Sequence, residues 1–240
     1  MVRCWYVGEL QSISQRYLIM LKFLGVIVAR KGSMRIKNKN LKNLGNKKLI
    51  EYTFLSAKKS KKLNQIILTT NDLKIINLAK KHKINTPFIR PNSLAKSNTR
   101  TEPVILHLLK FYKKKYNCLP KNFVILQPTS PFRTSMDIDN SIKKYERLKS
   151  TSLVSVSEPL NSLKSIFIVN KNKLSKSFKK YSLNSYLLNG SIFIRNTKEF
   201  LKSKKLIEKK TDTIVTAKIN SIDINDKMDL NFAKSLINNR

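Results

Sequence analysis

Between Arg30 and Lys39 the chain places one glycine, one serine and five basic side chains in ten positions, directly after the β-branched run Val26–Val28. A loop leaving a buried strand, with Gly32 free to take backbone angles closed to other residues, can turn several N–H groups onto one anion. Arg30 and Lys39 supply charge that neutralises phosphate oxygens. The loop lacks the GxxxxGK[ST] pattern of a Walker A loop. Spacing alone leaves a second reading open, a solvated basic turn in a lysine-rich chain.

Two further stretches have the composition of a site. In "LQPTSPFR", residues 126–133, two prolines fix the backbone just past an apolar run. They are expected to hold Gln127, Thr129 and Ser130 rigidly. The Gln127 amide both donates and accepts, which suits a hydroxyl- or amide-bearing ligand. The segment also reads as a turn into a helix capped by Thr134 or Ser135. In "SIDINDKMDL", residues 221–230, Asp223 and Asp226 lie between an extended segment and a helix. Carboxylates there suit Mg²⁺, which takes oxygen ligands together with substrate phosphates. Asp226 has a helix-capping role available to it, whereas Asp223 has no such local task. Cys4 and Cys118 lack metal-type spacing and His82 and His107 lie too far apart for a zinc motif, so no disulfide framework or structural metal is expected. His107, in "VILHLL", is expected in the core or at its boundary.

The elements that must carry these loops alternate. "FLGVIVA", "LNQIILTT", "NFVILQP" and "SLVSVS" have the length and apolar content of buried strands. "KLIEYTFLSAKKS", "DLKIINLAKKHK", "TEPVILHLLKFYKKKY" and "SMDIDNSIKKYERLK" have helical periodicity, with Asp72 near one N-terminus and Pro103 in a first turn where it is tolerated. "NTPFIRP" is a short extended piece. This alternation predicts βαβ units and a mainly parallel sheet covered on both faces, with ligands at the carboxyl ends of the strands. After residue 158 the rhythm changes. "SIFIVN" and "GSIFIRN" are strand-like, and the lysine-rich stretch between them is too long and irregular for a simple hairpin. The region of about 158–190 is expected to be an insertion that covers a site or meets another subunit. "DTIVTAKI" and the helix "DKMDLNFAKSLI" close the chain. Residues 1–19 fit none of this and are expected to be an extension, with Met20 a natural start; residues 20–240 form the single expected domain.

The formal net charge of +35 suggests nucleic acid or a membrane surface as partner. The lysines, however, run through the whole chain instead of forming one arm, and Asn and Ile are abundant too, as an AT-rich coding background produces. Nucleic-acid binding is therefore the minority reading, and the field is expected to attract polyanionic ligands such as nucleotides. Lys22 interrupts the apolar stretch "YLIMLKFLGVIVAR", which is too short and broken for a membrane span.

Taken together, "ARKGSMRIKNKNL", "IRPNSLA", "LQPTSPFRT", "NGSIFI" and "SIDINDKMDL" resemble, in order and spacing, the acylneuraminate cytidylyltransferases, the CMP-sialic acid synthetases and their bacterial relatives acting on legionaminic and pseudaminic acids. The resemblance covers about residues 23 to 237. It implies a three-layer, Rossmann-like nucleotidyltransferase fold with a small dimerisation insertion, and a cytoplasmic homodimer. It implies CTP, Mg²⁺ and a nine-carbon 2-keto acid sugar, whose anomeric hydroxyl attacks the α-phosphate. By matching position, it implies catalytic roles for Arg30, Arg35 and Lys39. Nucleotide contacts fall on Arg30, Gly32, Ser33, Lys39, Asn40, Arg90 and Thr101. Sugar contacts fall on Gln127, Asn189 and Lys179 or Lys180, and metal ligation on Asp223 and Asn225.

The chain departs from the family pattern at specific points. Met34 stands where a lysine thought to be catalytic is expected, with Arg35 adjacent; Arg and Lys are not interchangeable. Asn71, Ser97 and Asn225 stand where carboxylates are expected, and Leu187-Leu188 where Arg-Pro is frequent. A diverged nucleotide-binding homologue with weak or no activity therefore stays open as an alternative, as does a basic nucleic-acid-binding protein.

Overall fold

The computed structural model describes residues 21–159, 167–170, 173–176 and 185–238. The expected extension at 1–19, and Lys179 and Lys180, lie outside these residues.

The chain opens with β1 (Phe23–Val28), then a two-stranded hairpin of β2 (Asn43–Leu44) and β3 (Lys47–Lys48), α1 (Leu49–Lys59), β4 (Gln65–Thr69) and α2 (Leu73–Lys81). It continues through α3 (Thr101–Tyr116), β5 (Asn122–Leu126), α4 (Ser135–Arg147) and β6 (Ser152–Ser157). A separate antiparallel pair, β7 (Phe167–Asn170) and β8 (Lys173–Lys176), precedes β9 (Leu187–Asn196), α5 (Thr197–Ser203), β10 (Asp212–Val215) and α6 (Lys227–Asn238). The hairpin shows that part of the stretch expected to be irregular, Lys173–Lys176, forms a strand that folds straight back on β7.

Six strands make one sheet in the order β10-β6-β9-β5-β1-β4. All neighbours are parallel except β9, which runs antiparallel between β5 and β6. The predicted mainly parallel sheet is present. The direction of β9 was hidden because its buried apolar triplet Ile192–Ile194 reads the same whichever way the strand points.

Strand alternation sorts the core into two layers. Phe23, Ile27, Leu68 and Val124 pack with Ile50 and Phe54 of α1, Ile75 of α2 and Ile138 and Ile142 of α4. Leu24, Val26, Phe123 and Ile125 face the other way, onto Ile105, Leu108 and Leu109 of α3 and Phe200 of α5. Each of these side chains, withdrawn from water, contributes roughly 1.5–3 kcal/mol. A third, smaller cluster joins Ile36, Leu44, Leu49 and Phe132 to Ile224, Leu230 and Ala233. It anchors the basic loop after β1 to the segment that carries Asp223.

Helix ends follow their sequence signals. Asp72 caps α2 by accepting from Lys74 N at 2.9 Å. Thr134 caps α4 in a reciprocal box with Asp137, so Thr134 takes the capping role left open between it and Ser135. His107 is half-buried against Phe88, as a boundary residue.

Candidate active site

Where β1 and β5 run out at their carboxyl ends, together with the chain following β4, loops enclose a cleft of about 220 Å³. Arg30, Gly32, Ser33, Lys39 and Asn40 line it from the first loop. Arg90, Leu94 and the turn Thr99–Thr101 line it from the second side, and Gln127, Pro128 and Thr129 from the third, with Val28, Val104 and Ile125 beneath. Every residue read from the sequence as a nucleotide contact is brought here, together with Gln127.

The first loop is held in shape from several directions. Gly32 takes φ of 72°, in the left-handed region. Arg30 Nη1 donates to Gly32 O at 2.5 Å, and Asn40 Nδ2 donates to Arg30 O at 3.4 Å. Lys31 N donates to Asn71 Oδ1 at 2.8 Å, while Asn71 Nδ2 donates to Asn92 Oδ1 at 3.1 Å. Asn71, noted only as a missing carboxylate, thus bridges two walls of the cleft, which an acceptor-only carboxylate would not do.

Arg90 is 3% exposed. Its Nε donates to Thr69 Oγ1 at 3.1 Å, and Nη2 to Ala29 O at 3.1 Å and also to Thr69 O. The guanidinium therefore ties the ends of β1 and β4 together as well as lining the cleft. Burial and then the neighbouring Arg30 charge pull its pKa down to about 10, so it stays charged at neutral pH. Lys39 reaches across to donate from Nζ to Ile224 O at 2.6 Å. Burial lowers its pKa, the Asp223 carboxylate opposes that, and Arg35 and Arg30 add to the lowering. Repulsion among these cations is what a bound polyanion would relieve.

Arg100 was missed in the sequence. It precedes α3, whose N-terminus carries partial positive charge, and its side chain caps nothing. Its signal was positional: it immediately precedes a predicted helix. Among the described residues no carboxylate lines the cleft.

Three expected site residues, Arg35, Asn189 and Asn225, sit differently from expectation. Arg35 is exposed and off the cleft wall, although Lys39 feels its charge. Met34 is 82% exposed. Asn189 is buried with its amide spent inside the protein: Oδ1 accepts from Ser155 Oγ at 2.6 Å and Ser191 N at 3.1 Å, and Nδ2 donates to Thr216 and Ser221. It shapes the wall from behind and has no free group for a sugar. Asn225 turns its Nδ2 to Asp223 Oδ2 at 2.8 Å, so it presents a donor, and not a ligand oxygen, to its neighbour. An amide can bond a carboxylate where a second carboxylate would repel it.

Asp223 is the residue suited to a cation. Its Oδ1 is buried with no hydrogen-bond partner. The next residue holds the Lys39 ammonium through its carbonyl, and Ile224 N donates to Thr129 O at 2.8 Å, which docks this segment on the Gln127 loop. Among the described residues no group of three His, Cys, Asp or Glu side chains gathers for a metal. One orphaned carboxylate oxygen fits Mg²⁺, which binds through one or two carboxylates plus phosphate oxygens and water.

A cation-lined cleft at the carboxyl edge of a parallel sheet, faced by a donor–acceptor amide, has the chemistry to take a phosphorylated ligand beside a hydroxylated one. The fold is that of nucleotidyltransferases. It is similar to a solved CMP:2-keto-3-deoxy-manno-octonic acid synthetase complexed with CTP, with a TM-score of 0.66 and 14% identity, covering 91% of this chain and 99% of that one. The chain belongs to the cytidylyltransferase family, whose sequence pattern runs through residues 24–234. It is 31% identical to an N-acylneuraminate cytidylyltransferase of Escherichia coli, over 88% of this chain and 51% of that protein, and so spans about half of that relative. It is 29% identical to a CMP-N,N'-diacetyllegionaminic acid synthase of Legionella pneumophila, over 90% of this chain and 97% of that one.

Proposed function

We propose that the protein transfers CMP from CTP to the anomeric hydroxyl of a nonulosonic acid. The observation that carries this is the convergence of Arg30, Lys39, Arg90, Thr101 and Gln127 on one cleft in a chain of this family. The sugar oxygen forms a bond to the α-phosphorus, the bond to the bridging α–β oxygen breaks, pyrophosphate leaves and the hydroxyl proton is lost to water. Arg30, Lys39 and Arg90 hold the triphosphate, and Gly32 and Ser33 turn backbone donors to it. In such transfers, positioning and charge stabilisation carry most of the rate. Gln127 orients the sugar. Asp223 would hold Mg²⁺, which when bound spreads the charge developing on the phosphates. The reading includes a homodimer, with the region around 158–190 at the subunit contact, and a cytoplasmic location where CTP is available. Among the described residues no helix is long and apolar enough to cross a membrane.

Pyrophosphate release from CTP and Mg²⁺, with N-acetylneuraminic, legionaminic and pseudaminic acids offered in parallel, tests the proposal. Release with one sugar is expected, and Lys39→Ala is expected to lower it at least about a hundredfold, the scale of losing a charged group at a reacting phosphate. CTP binding without release for any of these sugars would favour the diverged homologue, which the solvent-facing Met34 in place of the expected lysine keeps in view.

A further inference from the structure

The cleft wall that carries Gln127 depends on a residue that never reaches the cleft. The β5–β9 ladder ends at the pair Leu126↔Ile192. Beyond it β5 ends, and no rung of the ladder links Gln127 to Ser191. Arg133, 2% exposed, fills that place. Its Nη1 donates to Gln127 O at 3.0 Å and to Ser191 O at 2.9 Å, and its Nη2 donates to Thr53 Oγ1 at 2.8 Å. Thr53 Oγ1 itself donates to Gln127 O at 3.4 Å. No carboxylate bonds the guanidinium among the described residues, and burial draws its pKa to about 9. A buried cation with no hydrogen-bonded carboxylate, its burial offset only in part by the Asp137 charge, is an expensive way to fill a turn. Its planar fork, however, joins two strands and a helix at once, which the single ammonium of lysine cannot do.

Across the gap, Gly190 has φ of 69°, and a Cβ there would lie 3.7 Å from the Gln127 amide. The Gln127 side chain therefore lies over the glycine next to the carbonyl that Arg133 grips. One guanidinium thus bonds to both surfaces that meet at Gln127.

We propose that Arg133 is the positioning residue of the acceptor-sugar subsite, fastening the ends of β5 and β9 so that the Gln127 amide faces the sugar. This rests on the reading of Gln127 as a sugar contact. Arg90 and Asn71, on the triphosphate side of the cleft, are held by bonds that Arg133 does not share, so the larger effect falls on the sugar.

Arg133→Lys, Gln127→Ala and the double variant are compared in the pyrophosphate assay, using whichever of N-acetylneuraminic, legionaminic or pseudaminic acid the wild type turns over. Arg133→Lys is expected to raise the sugar KM about tenfold with the CTP KM within about twofold. The double variant is expected to be no worse than Gln127→Ala alone, because each loss removes the same interaction. An equal rise in both KM values, or full additivity with Gln127→Ala, overturns the positioning role while leaving the sugar reading intact. If Gln127→Ala leaves the sugar KM unchanged, the sugar reading itself fails and the proposal falls with it. Should Arg133→Lys not fold, Thr53→Val decides: a smaller rise confined to the sugar KM supports the proposal, and an equal rise in both or no change overturns it.

Discussion

Single residues in this cleft divide by what is left of their bonding capacity. Arg90 and Arg30 are partly committed to carbonyls, Lys39 to Ile224 O, and Asn189 entirely to its neighbours. Arg100 has no such tie among the described residues. Arg100→Ala is therefore expected to raise the KM for CTP about tenfold, the scale of one charge-assisted hydrogen bond, with the melting temperature unchanged. Arg35→Ala should cost less than Lys39→Ala under the same assay, because Arg35 acts on the cleft only through its field. A loss as large as that of Lys39→Ala would mean that Arg35 swings in when CTP binds. Of the residues that sequence motifs pointed to and the cleft gathered, Arg30, Gly32, Ser33 and Gln127 lie in loops directly after strands, where local spacing dictates position. Asn189 misled because its motif marks a place, while three of its four hydrogen-bond partners, Ser155, Thr216 and Ser221, come from distant segments.

Elements hold the site by their ends. The Thr134–Asp137 capping box secures α4, the helix that follows the Gln127 loop. Thr134→Ala is expected to lower stability by about 1 kcal/mol in urea unfolding, with the CTP KM unchanged. At the opposite end of the sheet Arg195, fully buried, donates from Nη2 to Glu208 Oε1 at 2.6 Å. A hydrogen bond from Ser203 and then the Arg195 charge hold the Glu208 carboxyl below its ordinary value of 4.5, against the opposing effect of burial. A carboxylate with a depressed folded-state pKa stabilises the fold above its unfolded value and loses that stabilisation as pH falls through the folded one. Glu208→Gln should therefore cost roughly 1 kcal/mol at neutral pH, discounted for the partial exposure of Glu208. The difference from wild type should vanish well below the carboxylate range, as urea titrations at the two pH values would show. Most of the parallel framework was legible as alternating strands and helices. The β2–β3 hairpin, with strands of two residues each, and the seven-residue α5 were not, because so few residues carry no periodicity.

Over the whole molecule the charge is a field as well as a set of contacts. With +35 on the chain, CTP association should weaken as salt rises. The KM for CTP is expected to climb several-fold between low salt and about 0.3 M, where screening shortens to a few ångström. A salt-independent KM would confine recognition to the buried Arg90 side of the cleft. Duplex DNA at physiological salt should leave turnover unchanged; competitive inhibition there would restore the nucleic-acid reading.

By itself the sequence determined the alternating α/β architecture, the loops that line the cleft and the family to which they belong, because strand and helix periods and turn residues act over a few neighbouring positions. Tertiary structure alone decided that β9 runs backwards through the sheet, that Arg133 closes the gap it leaves beside β5, that Asn189 is spent on structure, and that Arg100 faces the cleft. Each of those depends on hydrogen bonds or packing between segments far apart in the chain, and neither composition nor spacing encodes where such partners meet.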